Sequence, residues 1–299
     1  MTEPAKLISI AALQARLGQP GLRLLDCRFD LMNPAAGRQA WLGGHIPGAQ
    51  YADLDQELAG PVRSDTGRHP LPGVEDFARQ LVRWGIGNDS SVVVYDGGSG
   101  AIAARAWWML RWAGHDDVAL LDQGFAGWTA QHAPVETGET AVARAAFNTR
   151  PRMEWVLGTD ELQGRLQRGA LGNLIDARDA ARFRGEVEPI DPVAGHIPGS
   201  RNFPLAQSLQ SDGRWKSAEE LQALWLPVLG EPPGAPWAVM CGSGVTACHL
   251  AFSGQLAGFQ APRLYAGSWS EWIRDPSRPV ASGAANPVAV PATAEPSST

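Results

Sequence analysis

Short, uninterrupted apolar runs alternate along the chain with segments of helical periodicity. The runs at 92–95 and 237–240 contain no polar position, whereas the segments at 75–84 and 218–225 repeat apolar residues every three or four positions. An uninterrupted run indicates a strand that is covered on both faces, which is typical of a parallel sheet. The pattern therefore predicts an α/β fold, with mainly parallel sheets flanked by helices and functional groups at the carboxyl ends of strands.

The pattern occurs twice. Three segments of the first half return about 150 residues further on, and the matching pairs are 13–17 with 162–166, 24–28 with 174–178, and 44–48 with 195–199. The last pair has the identical sequence GHIPG. Self-similarity of this kind predicts two tandem copies of one domain. Because two further segments lack apolar periodicity, we assign an N-terminal domain to 1–132, a linker to 133–152, a C-terminal domain to 153–278 and a disordered tail to 279–299.

Composition excludes several classes of function. A formal charge of -6 over 299 residues offers no positive surface for nucleic acid. The sequence contains no segment of membrane-spanning length, and its amino terminus lacks the basic and apolar parts of a leader. Its cysteines, Cys27, Cys241 and Cys248, fit neither a disulfide framework nor a CxxC metal site. We therefore expect a cytoplasmic protein that binds no metal, no nucleic acid and no membrane.

Cys241 is the candidate nucleophile. It directly follows the apolar run at 237–240 and starts a loop of small residues that leads into a helical segment. The N–H groups of such a loop and the positive end of a helix favour a thiolate or a charged persulfide. The alternative is an inert cysteine in the core. A cysteine-based phosphatase needs an arginine where this loop has Ala247, so phosphate hydrolysis is not expected.

The first copy differs at this strand end, where Asp96 stands in place of a thiol. We therefore expect the first domain to be an inactive scaffold and the second to be the catalyst. Residues 98–103 satisfy the dinucleotide pattern G-x-G-x-x-A, but the second copy does not keep it, and a lone match is weak. The histidines of the two GHIPG turns, His45 and His196, occur in both copies and are expected to serve the fold. Cys248 is expected to be packed in the core.

The repeat, the two GHIPG turns and the Cys241 loop together give a family resemblance. The chain resembles the two-domain rhodanese-type sulfurtransferases and, within them, is most similar to the enzymes that use 3-mercaptopyruvate. The resemblance implies two rhodanese-like domains and no cofactor. It also implies that Cys241 takes sulfur from a small donor, holds it as a persulfide and passes it to a thiol, a thioredoxin-like protein or cyanide.

The resemblance also implies residues that bind the donor. Arg182 matches a family arginine that binds the donor carboxylate, and the loop around the nucleophile is formed by Gly242, Ser243, Gly244, Val245 and Thr246. The family usually has a second arginine after a Glu-Pro pair, whereas Glu188 and Pro189 are followed here by Ile190 and Asp191. A second cation would then have to come from Arg184 or Arg178.

A proton relay across the domains is implied in the same way. Ser243 matches a serine that the family couples to a histidine and an aspartate of the first domain, and the matching positions are His69 and Asp55. Such a relay moves a proton as pyruvate enolate leaves.

Two other functions remain open. One is thiosulfate:cyanide sulfurtransfer, although its enzymes typically carry basic residues directly after the cysteine, where this chain has Gly242 and Ser243. The other is a noncatalytic binding module that uses the cleft between the domains. The presence of Cys241 argues against a noncatalytic binding module.

Overall fold

Residues 4–232 and 234–284 are described by the computed structural model of this chain. They contain one parallel sheet in each half, and the connections between successive strands run through helices. The predicted α/β architecture is confirmed. Within these ranges, no helix combines the length and the apolar character needed to cross a bilayer.

The first domain contains a parallel sheet with the strand order β1-β5-β4-β2-β3 in the described residues. Strand β4 lies at its centre, between β2 and β5. The elements are β1 (Lys6–Ile8), α1 (Ile10–Gln14), β2 (Leu22–Asp26), α2 (Ala35–Gly43), β3 (Ala49–Tyr51), α3 (Val74–Arg83), β4 (Ser91–Tyr95), α4 (Ala103–Trp112), β5 (Val118–Leu121) and α5 (Gly124–Ala130).

The second domain repeats this topology with one strand fewer in the described residues, in the order β7-β6-β8-β9. A single parallel bridge between Val156 and Leu264 stands where β1 pairs with β5 in the first domain. The elements are α6 (Thr159–Gln167), β6 (Asn173–Asp176), α7 (Ala180–Arg184), β7 (Arg201–Asn202), α8 (Ala218–Leu229), β8 (Trp237–Met240), α9 (Ala247–Leu256), β9 (Arg263–Leu264) and α10 (Ser268–Trp272).

Both faces of the sheets are covered, as the uninterrupted apolar runs predict. In β4, Val92 and Val94 belong to one apolar cluster, whereas Val93 belongs to another. The first cluster contains Trp107 of α4, and the second contains Trp128 of α5. Because successive side chains of a strand point to opposite faces, the helices α4 and α5 cover opposite faces of this sheet.

The two domains share a core. Helices α4 and α9 pack against each other, and the rings of Trp107 and Phe252 meet edge to face with centroids 4.9 Å apart. A buried arginine of α4, Arg111, donates a hydrogen bond at 2.8 Å to Gln255 of α9. The largest apolar cluster contains residues of both halves. This shared packing fixes how the domains face each other.

Each domain closes with a segment that pairs with its GHIPG turn. His45 forms an antiparallel bridge with Glu136, and His196 forms the equivalent bridge with Ala281. Main-chain hydrogen bonds of Ala281 and Gly283 therefore attach this segment to the second domain, so the prediction of disorder from residue 279 is wrong for residues 279–284. The remainder of that predicted tail lies outside the described residues.

The turn histidines also bind helix carbonyl groups. The Nδ1 atom of His45 lies 2.8 Å from the carbonyl oxygen of Trp41, and that of His196 lies 2.7 Å from the carbonyl oxygen of Phe183. The same contact in both domains agrees with a role in the fold.

Candidate active site

A cavity of about 350 Å³ lies between the two domains, at the carboxyl end of β8. The first domain contributes an apolar wall that includes Phe29, Leu54 and Ile102. The second domain contributes the loop that begins at Cys241, together with Arg182 and its neighbours. The predicted nucleophile therefore faces a space that could hold a small molecule.

Cys241 follows β8 directly, and only 1% of its surface is exposed. The N–H of Gly244 donates to its Sγ atom at 3.1 Å. Gly244 has a φ of 80°, and a Cβ atom there would lie 2.3 Å from the carbonyl oxygen of Ala266. Position 244 therefore requires glycine. Helix α9 begins at Ala247, so the loop ends at a helix amino terminus, where exposed N–H groups favour a sulfur anion.

The other predicted loop residues lie at the same place. Gly242, Val245 and Thr246 line the cavity. The carbonyl oxygens of Cys241 and Gly242 accept hydrogen bonds at 3.0 and 2.9 Å from the N–H groups of α10. These hydrogen bonds attach the backbone of the loop to α10 on the side of its carbonyl groups.

The structure brings together the three residues predicted for the relay. His69 Nδ1 lies 2.8 Å from Ser243 Oγ, and His69 Nε2 lies 3.1 Å from Asp55 Oδ1. Burial lowers the pKa of His69 to about 4, and the charges of Arg105 and Arg68 act in the same direction. His69 is therefore neutral near neutral pH, and its Nδ1 atom is placed to exchange a proton with the Ser243 hydroxyl.

Arg182 lines the cavity, as predicted for a residue that binds a donor carboxylate. Its guanidinium donates to Glu188 at 2.6 and 3.2 Å and to Asp191 at 3.3 Å. Burial raises the pKa of Glu188, but hydrogen bonds from Arg182 and from two backbone N–H groups outweigh it and hold that pKa below its usual value. The contact with Asp191 is the longer one and is the easier to exchange for an incoming carboxylate.

Arg68 is a cavity residue that sequence reasoning missed. It reaches across from the first domain and forms an ion pair with Asp191. Its NH2 atom lies 3.0 Å from the point where a Cβ atom on Gly242 would stand, and its buried Nε atom has no hydrogen-bond partner among residues 4–232 and 234–284. The signal in the sequence is its position directly before His69. Asp191 therefore contacts both Arg68 and Arg182.

The two arginines expected to replace the missing family cation behave differently. Arg184 ends α7, donates to Glu186 at 2.6 and 2.8 Å, and is absent from the cavity lining. The structure therefore does not bring Arg184 to the site, because Glu186 holds its guanidinium at the surface. Arg178 lines the cavity, but its NH2 atom is held by Asp176 and by the carbonyl oxygen of Gly195, both at 2.8 Å.

The corresponding loop of the first domain is filled by its own carboxylate. Asp96 Oδ1 accepts hydrogen bonds from the N–H groups of Gly98 at 2.9 Å and Gly100 at 3.0 Å. Its Oδ2 accepts from those of Ile102 at 2.9 Å and Ala103 at 3.2 Å. These are the N–H groups that a bound phosphate would need, so the dinucleotide pattern at 98–103 has no free anion site.

The two other cysteines are packed in the core. Burial raises the pKa of the Cys248 thiol to about 12 and raises that of Cys27 well above its usual value. Both are fully buried, and neither lines the cavity. Among the three thiols of the chain, Cys241 alone faces the space between the domains.

Comparison with known proteins points to one family. The family described as "Rhodanese-like domain" matches residues 9–131 and 158–275. A relative from Pseudomonas aeruginosa named "Probable 3-mercaptopyruvate sulfurtransferase" is 49% identical over 281 residues, which cover 93% of this chain and 99% of the relative. A relative from Gallus gallus named "Thiosulfate sulfurtransferase" is 35% identical over 271 residues, which cover 90% of this chain and 92% of the relative.

A solved structure gives the same result. The crystal structure from Escherichia coli described under "The 'Rhodanese' fold and catalytic mechanism of 3-mercaptopyruvate sulfotransferases" superposes with a TM-score of 0.77 at 31% sequence identity. The match covers 89% of this chain and 99% of that one. The two-domain resemblance read from the sequence is therefore confirmed.

Proposed function

This chain belongs to the rhodanese-like family and is a sulfurtransferase, and we propose that it moves sulfur from 3-mercaptopyruvate to a thiol through a persulfide on Cys241. The observation that carries the proposal is the contact between the Gly244 N–H and Cys241 Sγ inside a loop that ends at a helix amino terminus. A persulfide at this position would be stabilised in the same way as a thiolate, without a metal or an organic cofactor.

The first half-reaction transfers neutral sulfur to the enzyme. The Cys241 thiolate attacks the donor sulfur, a sulfur–sulfur bond forms, and the donor carbon–sulfur bond breaks. Its electron pair goes to carbon, so that pyruvate leaves as the enolate. One proton must be supplied to that enolate. Ser243 is the hydroxyl placed to give it, and His69 and Asp55 restore it from solvent.

The second half-reaction returns the enzyme to its starting state. An acceptor thiolate attacks the outer persulfide sulfur, the sulfur–sulfur bond breaks, and Cys241 leaves as the thiolate. A small thiol, a thioredoxin-like protein or cyanide can act as the nucleophile. Because the donor product departs before the acceptor reacts, the kinetics should be ping-pong.

The charge of the cavity supports a donor that carries a single carboxylate. Arg68 and Arg182 are matched by Glu188 and Asp191, so this cluster has no net formal charge. A donor with one carboxylate adds one negative charge to this neutral cluster, whereas a small dianion adds two. A small dianion gains less from such a cluster than from a loop with unpaired basic residues.

Thiosulfate is the second candidate donor. Two arginines stand close to Gly242, and a relative from Gallus gallus that is 35% identical carries the name of a thiosulfate enzyme. With thiosulfate, sulfite would leave as a stable anion, and no proton would be needed on carbon. An experiment can therefore distinguish between 3-mercaptopyruvate and thiosulfate as the donor.

The test is a comparison of donors on the purified protein. The catalytic efficiency, kcat/KM, is measured for 3-mercaptopyruvate and for thiosulfate with one common thiol acceptor. The proposal predicts the higher value for 3-mercaptopyruvate. An equal or higher kcat/KM with thiosulfate would contradict the proposal and favour thiosulfate as the donor.

We also infer the division of labour and the compartment. The second domain is the catalyst, and the first is a scaffold that lends side chains to its partner. Free thiols at Cys27, Cys241 and Cys248 suit a reducing compartment such as the cytoplasm.

A further inference from the structure

A buried arginine lies beneath the catalytic loop. Arg105 of α4 is 0% exposed, and its guanidinium donates to four backbone carbonyl groups. Its Nε atom donates to Leu58 at 3.2 Å and its NH1 atom to Gly244 at 3.2 Å. Its NH2 atom donates to His69 at 3.2 Å and Pro70 at 3.4 Å. One side chain of the first domain thus binds the relay segment and the nucleophile loop at once.

Arg105 differs from the other buried arginines in the described part of the chain. Arg178 forms an ion pair with Asp176 at 2.8 Å, and Arg111 lies 3.6 Å from Asp116. No carboxylate lies within ion-pairing distance of Arg105 among the described residues. A buried charge without a counter-charge is costly, so its position needs a compensating partner.

The groups near Arg105 that could carry negative charge are sulfur atoms. Burial lowers the pKa of Arg105, and Cys248 and Cys241 oppose that shift. Cys248 shares the Gly244 carbonyl with Arg105, because its Sγ lies 3.4 Å from that oxygen. Burial raises the pKa of Cys248 to about 12, so Cys248 stays protonated. Cys241, the proposed nucleophile, is the other sulfur beside this carbonyl group, because the Gly244 N–H donates to its Sγ atom.

We infer that Arg105 is a positioning residue for sulfur transfer, which ties the His69 segment to the Cys241 loop across the domain boundary and supplies a buried positive charge that favours anionic sulfur at Cys241. The inference rests on Cys241 being the nucleophile, as proposed above. The other charged or titratable groups that face the Cys241 loop or its cavity are Arg68, His69, Arg178, Asp179, Arg182 and Cys248.

Two variants separate the two roles. Arg105→Lys keeps the positive charge but loses the planar set of five N–H donors that reaches four carbonyl groups. Arg105→Met removes the charge and keeps much of the volume. Arg111→Met is the matched control, because Arg111 is buried on the same helix and also contacts the second domain, but it donates to Gln255 of α9 rather than to the Cys241 loop.

The experiment measures the alkylation rate of Cys241 by iodoacetamide against pH, and 3-mercaptopyruvate turnover, on full-length protein shown by circular dichroism to be folded. Arg105→Met should slow alkylation near neutral pH about ten-fold and move its profile to higher pH. Arg105→Lys should keep the alkylation profile of the wild type but lose about ten-fold in kcat. Arg111→Met should match the wild type in both.

An alkylation profile of Arg105→Met that coincides with that of Arg111→Met would overturn the electrostatic role. Wild-type turnover in Arg105→Lys would overturn the positioning role, and this test stands even when Arg105→Met does not fold. Mass spectrometry of the wild type after donor treatment distinguishes the two levels of failure. If sulfur is found on Cys241 but the Arg105 variants behave like the Arg111→Met control, only this inference is refuted. If no sulfur is found on Cys241, the proposed function itself is refuted.

Discussion

The loops that follow β4 and β8 occupy the same place in the two domains and begin with different side chains. After β4, the chain supplies the anion itself, because the Asp96 carboxylate takes four backbone N–H groups. After β8, the same position carries Cys241, whose Sγ faces the cavity and accepts from the Gly244 N–H. The N–H groups of the loop are thus occupied by its own carboxylate in the first domain, whereas the loop of the second domain presents a thiol to the cavity.

The frames around the two loops are otherwise alike. Arg28 binds Asp26 at 2.6 Å and the Gly44 carbonyl at 2.6 Å, and Arg178 makes the equivalent contacts in the second domain. The first domain, which has Asp96 rather than a cysteine at this strand end, keeps the same ion pair, which indicates that Arg178 serves the fold. The comparison therefore separates structural arginines from those, like Arg182, that lack an equivalent in the first domain.

After loss of the nucleophile itself, the largest expected effect is on the side chains that the first domain contributes to the site of the second. Ser243→Ala and His69→Ala should each slow 3-mercaptopyruvate turnover by about 10²–10⁴-fold, because each removes the proton path to the enolate. The double variant should be little slower than the slower single variant, since coupled groups are strongly non-additive. Steady-state kinetics of the three variants provide the measurement.

Two controls accompany this prediction. Thiosulfate transfer should be less affected by His69→Ala, because sulfite needs no proton on carbon. Because the pKa of His69 is about 4, protonation of His69 should not reduce turnover as the pH falls from 7 to about 5. Independent, additive losses in Ser243→Ala and His69→Ala would show that the two residues do not act as one relay.

The next largest effect concerns the loop of the first domain that begins at Asp96. Asp96→Ala should lower the free energy of unfolding by about 3 kcal/mol, because buried N–H groups lose a charged acceptor. Asp96→Asn keeps one oxygen that can accept hydrogen bonds, so it should lower the free energy of unfolding by less than Asp96→Ala does. Denaturant unfolding measures the stability, and turnover per folded molecule should stay near that of the wild type. A large loss of turnover in a stable Asp96→Asn protein would contradict a purely structural role.

The smallest effect tests the donor site. Arg182→Ala should lose about 1–3 kcal/mol of transition-state stabilisation with 3-mercaptopyruvate, because a charged hydrogen bond to the donor is removed. Arg184→Ala is the matched control from the same helix, and its kcat/KM should equal that of the wild type, since Glu186 holds Arg184 at the surface. Equal losses in the two variants would argue for a general effect of charge on α7.

Local sequence was sufficient for the features that repeat or that sit on one element. The GHIPG turns reveal two domains, and the apolar run before Cys241 places its thiol at a strand end. Arg68 and Arg105 were not predictable in the same way, because their contacts are with Asp191, 123 residues away, and with the Gly244 carbonyl, 139 residues away. Neither contact leaves a periodic or spacing signal, since both depend on how the domains pack.

Arg184 shows the opposite error, because the sequence predicted it at the site and the structure places it elsewhere. In sequence it lies two positions from Arg182, which makes it a plausible second cation. Neighbours two apart on a helix do not share a face, however, and the Glu186 carboxylate holds Arg184 away from the cavity. Arg68, which is remote in sequence, takes the place beside Asp191 instead.

The most direct test of the central claim is to locate the sulfur after treatment with 3-mercaptopyruvate alone. Intact-protein mass spectrometry, followed by peptide mapping of blocked thiols, should find one added sulfur atom on Cys241 and none on Cys27 or Cys248. Cys241→Ser should take up no sulfur and have no transfer activity. Added sulfur on another thiol, or transfer that persists in Cys241→Ser, would contradict the account.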